Sequence, residues 1–110
     1  MSLEKVLKAY LPMTETAFYI LLSLSEPRHG YGIIKYVEEL TKGRIKLSSG
    51  TVYSTIMKLQ KDEIITVYSD NSRKTVYEIT EIGLQLIKTE IGRIEKLYQD
   101  AKSQEVLFHE

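Results

Sequence analysis

With 110 residues, 43% hydrophobic and 27% charged, the chain is long enough for one domain around one core and too short for a second. Its formal net charge of zero excludes a polycationic nucleic-acid coat, and the absence of cysteine excludes disulfides, thiolate nucleophiles and zinc–thiolate sites. No apolar run approaches the ~20 residues of a membrane span and the first residues lack the apolar stretch of a signal peptide, so the expectation is a cytoplasmic protein with no membrane partner.

Leu3, Val6, Leu7, Tyr10 and Leu11 follow the spacing of a short amphipathic helix, closed by Pro12. A helix this short is marginal alone in water, so its stripe must lie on the core or on another subunit. Thr14 is the expected N-cap of a second helix, apolar on nearly all sides over residues 17–24 and stopped by Pro27. Arg28-His29-Gly30-Tyr31-Gly32 then reads as a tight turn, with His29 seating the next helix. That helix, residues 31–41, presents Ile33, Val37 and Leu40 to the core and stops at Gly43. Arg44-Ile45-Lys46-Leu47 alternates polar and apolar, as a short strand or an extended link does.

Residues 48–63 form a helix with two unlike faces. Val52, Ile56 and Leu59 fall on one side, while Thr51, Ser54, Thr55 and Lys58 fall on the other. Short hydroxyls with a lysine let a helix lie close to an acceptor-rich surface such as nucleic acid, and Ser48 or Ser49 caps its start. The pattern then changes period. Residues 64–68 and 75–79 are β-branched and aromatic around the turn residues Ser69, Asp70, Asn71 and Ser72, which gives a hairpin whose tip carries Arg73 and Lys74. The last element is a helix from Thr80-Glu81 to about Ala101, with Leu84, Ile87, Ile91, Ile94 and Tyr98 at steps of three and four and Leu86 and Leu97 widening the stripe. At roughly 30 Å it outruns the core beneath it, so its distal half is expected on a second copy of the chain. Gly92 suits a close helix crossing there, and residues 102–110 are expected to fray.

Helix-turn-helix followed by a hairpin is the winged-helix arrangement. The expected fold is thus mainly α with a small β-hairpin (α+β): an N-terminal helix over residues 1–12, a winged helix-turn-helix DNA-binding domain over 13–80, and a C-terminal dimerisation helix and tail over 81–110. Two distant histidines and no glycine-rich phosphate loop leave no catalytic, cofactor or metal set, so no enzyme is expected.

Four stretches carry a family resemblance: residues 26–33, residues 49–53 (Ser-Gly-Thr-Val-Tyr), residues 59–65 and residues 73–83. They resemble the PadR-like transcriptional regulators, in register over about residues 12–83, and most closely the short subfamily with a single C-terminal dimerisation helix. The resemblance implies a homodimeric repressor on double-stranded DNA, at a pseudo-palindromic operator, often released by a small hydrophobic or phenolic effector or a stress signal. The family's Gly-Thr-Leu-Tyr motif maps onto Gly50, Thr51, Val52 and Tyr53, and its wing onto residues 71–74. The paired wing glycines and one basic residue are missing here, and Val76 stands where a tyrosine is common, which implies a weaker grip on phosphate. The expected DNA-binding residues are Ser48, Ser49, Thr51, Tyr53, Ser54, Thr55, Lys58, Arg73 and Lys74, with Lys46 as a further phosphate contact. The expected dimer contacts are Leu3, Val6, Leu7 and Tyr10 with Leu84, Ile87, Ile91, Ile94 and Tyr98. Tyr10 and the terminal helices would line an effector groove between subunits. The alternative is a winged-helix module that binds another protein and no DNA.

Overall fold

In the computed structural model, which describes residues 1–71 and 73–109, helix α1 (Leu3–Tyr10) starts at Ser2, whose Oγ accepts from the Lys5 N–H at 3.3 Å. It buries Val6 and Tyr10. Helix α2 (Glu15–Ser23) is capped as expected, Thr14 Oγ1 accepting from Ala17 N–H at 3.1 Å, and sets Ile20, Leu21 and Leu24 in the middle of the core.

The expected tight turn after Pro27 is instead a two-residue strand, β1 (Arg28–His29), whose partners are Tyr77 and Val76. It runs directly into α3 (Gly30–Leu40), so the two extended residues before a helix complete a sheet that local spacing could not reveal. Gly30, Ile33 and Val37 are the buried face of α3. Leu40, expected in the core, is exposed, because the position that continues this face is Thr41. The Thr41 hydroxyl is satisfied there, donating to Val37 O at 2.8 Å and accepting from Ile45 N–H at 3.0 Å. Gly43, at φ +79°, closes the helix with its N–H on Glu38 O at 2.8 Å. Residues 44–48 form the extended link and, among the described residues, pair with no strand.

Helix α4 (Ser49–Lys61) buries Val52, Ile56 and Leu59. It ends in a left-handed turn at Glu63, φ +62°, after which Ile64 N–H returns to Leu59 O at 2.9 Å. Strands β2 (Ile65–Asn71) and β3 (Lys74–Ile79) form the hairpin, and the sheet order is β1-β3-β2. Ser69, Asp70 and Asn71 belong to the ladder rather than the turn, paired with Val76, Thr75 and Lys74. Turn-type residues are tolerated there because this end of β2 is exposed, and Thr75 Oγ1 donates to Asp70 Oδ1 at 3.0 Å across the strands. The register slips at Tyr68, between Val67 and Ser69, as at a β-bulge. Ser72 of the expected turn lies outside the described residues.

Helix α5 (Glu81–Glu105) is capped by Thr80, whose hydroxyl accepts from Gly83 N–H at 3.1 Å and donates to Ile64 O at 2.9 Å. This draws the first turn so close to Ile64 that a Cβ on Gly83 would collide with that carbonyl and stand 2.7 Å from Ile79 Cγ1. The expected frayed tail is helical to Glu105, with a 3-10 turn over Val106–Phe108. Good helix formers and the Lys102–Glu105 ion pair at 2.6 Å support the added turn, and α5 is ~38 Å long. Glu110 lies outside the described residues.

One buried acid was not among the expected core residues. Glu90 on α5 is 1% exposed, and its carboxylate accepts from Met13 N–H at 2.8 Å and from Arg93 at 2.5 and 3.1 Å. It ties the α1–α2 junction to α5. The hydrogen-bonded Arg93 guanidinium, with the Met13 N–H, holds the carboxyl below the usual carboxylate range against the opposing effect of burial.

Candidate nucleic-acid interface

Helix α4 supplies the exposed polar surface. Ser48 is its N-cap: Oγ accepts from Thr51 N–H at 3.2 Å and donates to Thr51 Oγ1 at 2.9 Å. Such a cap stabilises a helix by ~1 kcal/mol. Ser49, Gly50, Thr51, Tyr53, Ser54, Lys58 and Lys61 are exposed, and Thr55 is half-buried. A Cβ on Gly50 would meet no heavy atom within 4 Å, so the N-terminal turn stands clear of the rest of the protomer. Met57, 71% exposed on the same face, was not among the expected contacts. Its distance of three and four residues from Ser54 and Tyr53 was the available signal.

Tyr53 is exposed yet leans back over the start of α3. A side chain on Gly30 would fall 2.6 Å from Tyr53 Cζ, so the glycine makes room for the ring. Across from it, burial first and the neighbouring Tyr53 hydroxyl second push the Tyr77 phenol above its ordinary pKa. Tyr53 therefore joins α4 to the start of α3. Lys58 leans the other way: Nζ lies 4.6 Å above the centre of the Tyr10 ring, a cation–π arrangement. Tyr10 O–H in turn donates to Asp62 Oδ2 at 2.6 Å, and burial together with this bond raises the phenol well beyond its normal range. The expected groove residue Tyr10 is thus a buried link between α1 and the end of α4.

At the wing, Asn71 Oδ1 accepts from both Arg73 and Lys74 N–H groups at 3.1 Å. This fixes the backbone and leaves both cationic side chains exposed. Not every cation between residues 28 and 74 is similarly available. Arg28 donates to Ser23 O at 2.6 Å with its guanidinium 4.2 Å from the Tyr36 ring centre, and Arg44 is bonded to the Tyr19 hydroxyl at 3.1 Å. Lys46 is exposed.

The expected dimer stripe divides along α5. Val6, Tyr10 and Ile87 are covered by the protomer's own core, and Leu7 and Leu84 are half-buried. Ile91, Leu97 and Tyr98 are exposed, with Ile94 partly so, and Leu3 is exposed on α1. A Cβ on Gly92 would meet no heavy atom within 4 Å. Among the described residues no helix is long and apolar enough to cross a membrane.

Comparison with known proteins places this geometry. Residues 19–89 match the profile of the Transcriptional regulator PadR-like family. Transcriptional regulator YqjI of Escherichia coli is 32% identical over 75 residues, 68% of this chain and 36% of that protein; the chain thus spans about a third of this relative's length. A transcriptional regulator from Clostridium thermocellum superposes with a TM-score of 0.70 at 25% identity, covering 94% of this chain and 96% of that one. A PadR family transcription regulator from Clostridium difficile gives a TM-score of 0.72 at 19% identity, covering 82% and 97%.

Proposed function

We propose that this chain, which belongs to the PadR-like family of transcriptional regulators, is a homodimeric, sequence-specific DNA-binding repressor of the cytoplasm, relieved by a small hydrophobic or phenolic effector or a stress signal. The family is one of regulators and not of enzymes. The observation that carries the DNA-binding reading is the free face of α4: a capped N-terminal turn with nothing over Gly50, followed by short hydroxyls and cations, with the Arg73–Lys74 tip on the hairpin rooted against it. In the major groove, Thr51, Ser54, Thr55 and Met57 approach base edges, the methionine suited to a thymine methyl. Ser48, Ser49, Lys58, Arg73 and Lys74 meet phosphates and sugars, with Tyr53 at the margin.

The bare part of the α5 stripe, from Ile91 to Tyr98, supports the homodimer. Two α4 helices related by a two-fold axis read half-sites roughly 34–36 Å apart, which makes the operator pseudo-palindromic. An effector lowers DNA affinity only by binding the DNA-incompetent state more tightly.

The test is sedimentation equilibrium of the purified protein combined with fluorescence anisotropy on duplex DNA across a salt series. A dimer whose affinity falls linearly on a log–log salt plot is expected. A monomer with no salt-dependent duplex binding contradicts the proposal.

A further inference from the structure

Helix α5 has an open apolar cleft beside its start and an uncovered apolar segment at its end. The cleft, about 170 Å³, lies between α2, the end of β3 and α5, with Leu22, Ser25, Ile79, Leu84, Ile87 and Ile91 in its walls. An apolar cavity of ~150 Å³ accepts a benzene ring. The segment is Val106-Leu107-Phe108, with side chains 69%, 66% and 84% exposed. We propose that the two α5 helices of the dimer run antiparallel and that Phe108 of each protomer fills the partner's cleft. This rests on the homodimer reading and adds to it a direction, a register and the segment that closes the contact.

Phe108 is the most exposed large apolar side chain among the described residues, whereas the other phenylalanine, Phe18, packs against the core. It cannot reach its own cleft, because α5 is one unbroken helix up to Glu105 and Ile91 and Phe108 stand ~26 Å apart along its axis. A second copy can supply the ring. Phe108 follows Ala101 by seven residues and so continues the stripe that begins in the cleft at Leu84, Ile87 and Ile91. In an antiparallel pair with stripes in phase, Phe108 falls opposite the partner's Leu84 when Ile94 faces the partner's Tyr98. When Tyr98 faces the partner's Ala101, Phe108 falls opposite the partner's Ile91. Both of these positions line the cleft. A shorter overlap would set Tyr98 against Ile87, which the protomer's own core already covers. A parallel pair would place the two segments side by side and leave both clefts open.

Area points the same way. A stable interface buries about 800 Å² per partner, about two-thirds of it apolar in a homodimer. Ile91, Leu97 and Tyr98, each about half exposed, supply too little alone, and the terminal segment adds three more apolar side chains. Tyr98 is a poor alternative occupant, because Ser25 is the one polar residue in the cleft wall and a buried phenol needs a partner.

The chain has no tryptophan, so Phe108→Trp is a clean reporter. Where sedimentation equilibrium gives a dimer, its emission is expected to be that of a buried indole, moving to that of a solvated one as dilution separates the protomers. Leu107→Asp with Phe108→Asp, both at exposed positions, should weaken the dimer at least about a hundredfold, since each segment is lost twice, with unchanged far-UV circular dichroism. Direction is read from Ser25→Cys combined with Phe108→Cys in this cysteine-free chain. A short bismaleimide should join residue 25 of one protomer to residue 108 of the other, as mass spectrometry of mixed ¹⁵N-labelled and unlabelled chains identifies. A dimer with solvated emission, an undiminished dimer in the aspartate variant, or cross-links only between the two copies of residue 108 overturns the docking and leaves the homodimer standing. A wild-type chain that is monomeric at every concentration overturns both.

Discussion

Replacing Glu90 by alanine removes a side-chain acceptor that holds the α1–α2 junction to α5. Met13 N–H, now bonded to the carboxylate at 2.8 Å, is left without a partner in a half-buried position, which costs about 1–3 kcal/mol. The cavity left by a side chain 1% exposed adds to this. The carboxylate is covered but lies just beneath the surface beside the solvent-facing Arg93, so screening limits what the ion pair itself contributes. A total of roughly 2–3 kcal/mol is expected for Glu90→Ala, or roughly 8–12 °C in melting temperature for a domain of this size. Thermal melts at fixed protein concentration, followed by far-UV circular dichroism, measure it. The pH dependence has a definite sign. Because the folded carboxyl titrates below its unfolded value of roughly 4.3, its contribution is complete above that pH and is lost as pH falls through the lowered folded value. Wild type should thus lose more stability than Glu90→Gln on acidification below about pH 4.3. A Glu90→Ala melt within about 2 °C of wild type, or parallel acid profiles for wild type and Glu90→Gln, refutes the tether.

Gly83→Ala should destabilise by about 2 kcal/mol or more through overpacking despite a gain of ~1 kcal/mol in helix propensity, because the added methyl meets Ile64 O; urea unfolding reads the sign. Gly92→Ala meets open space in the protomer, so it should stabilise α5 by up to ~1 kcal/mol yet weaken self-association if two α5 helices cross there, a split visible by sedimentation equilibrium. In the wing, Arg73→Ala with Lys74→Ala should weaken binding to all duplexes alike and reduce the log–log salt slope by about two, with unchanged far-UV circular dichroism.

The α4 faces were legible in the sequence because they depend on one helix and its period. Val52, Ile56 and Leu59 turn inward, and Thr51, Ser54 and Lys58 turn out. Capping was equally local: Thr14, Ser48 and Thr80 each accept from the N–H three residues on. What could not be read depended on distant partners. β1 exists only because β3 lies beside it, with Arg28 paired to Tyr77 and His29 to Val76, far away in sequence. Ser69, Asp70 and Asn71 have the chemistry of a turn, and only the Thr75 and Lys74 side of the ladder draws them into a strand. Glu90 stands at helical spacing from Gly83, Leu86 and Ile87 on the buried face of α5, but its charge gave no hint of its partner, the Met13 N–H at the α1–α2 junction. Spacing placed Tyr10 in an apolar stripe lying on the core or on another subunit, but gave no hint of its hydroxyl's partner, Asp62, fifty-two positions along the chain.

The measurement that bears most directly on the proposed role is selection of bound sequences from a random duplex pool, carried out with wild type, Lys58→Ala and Arg73→Ala. The wild-type protein is expected to enrich a palindromic motif whose half-site centres lie one helical turn apart, and both variants to recover it at lower yield. Enrichment of no motif by a protein that is dimeric in solution would contradict sequence-specific DNA binding and favour a winged helix that docks on another protein.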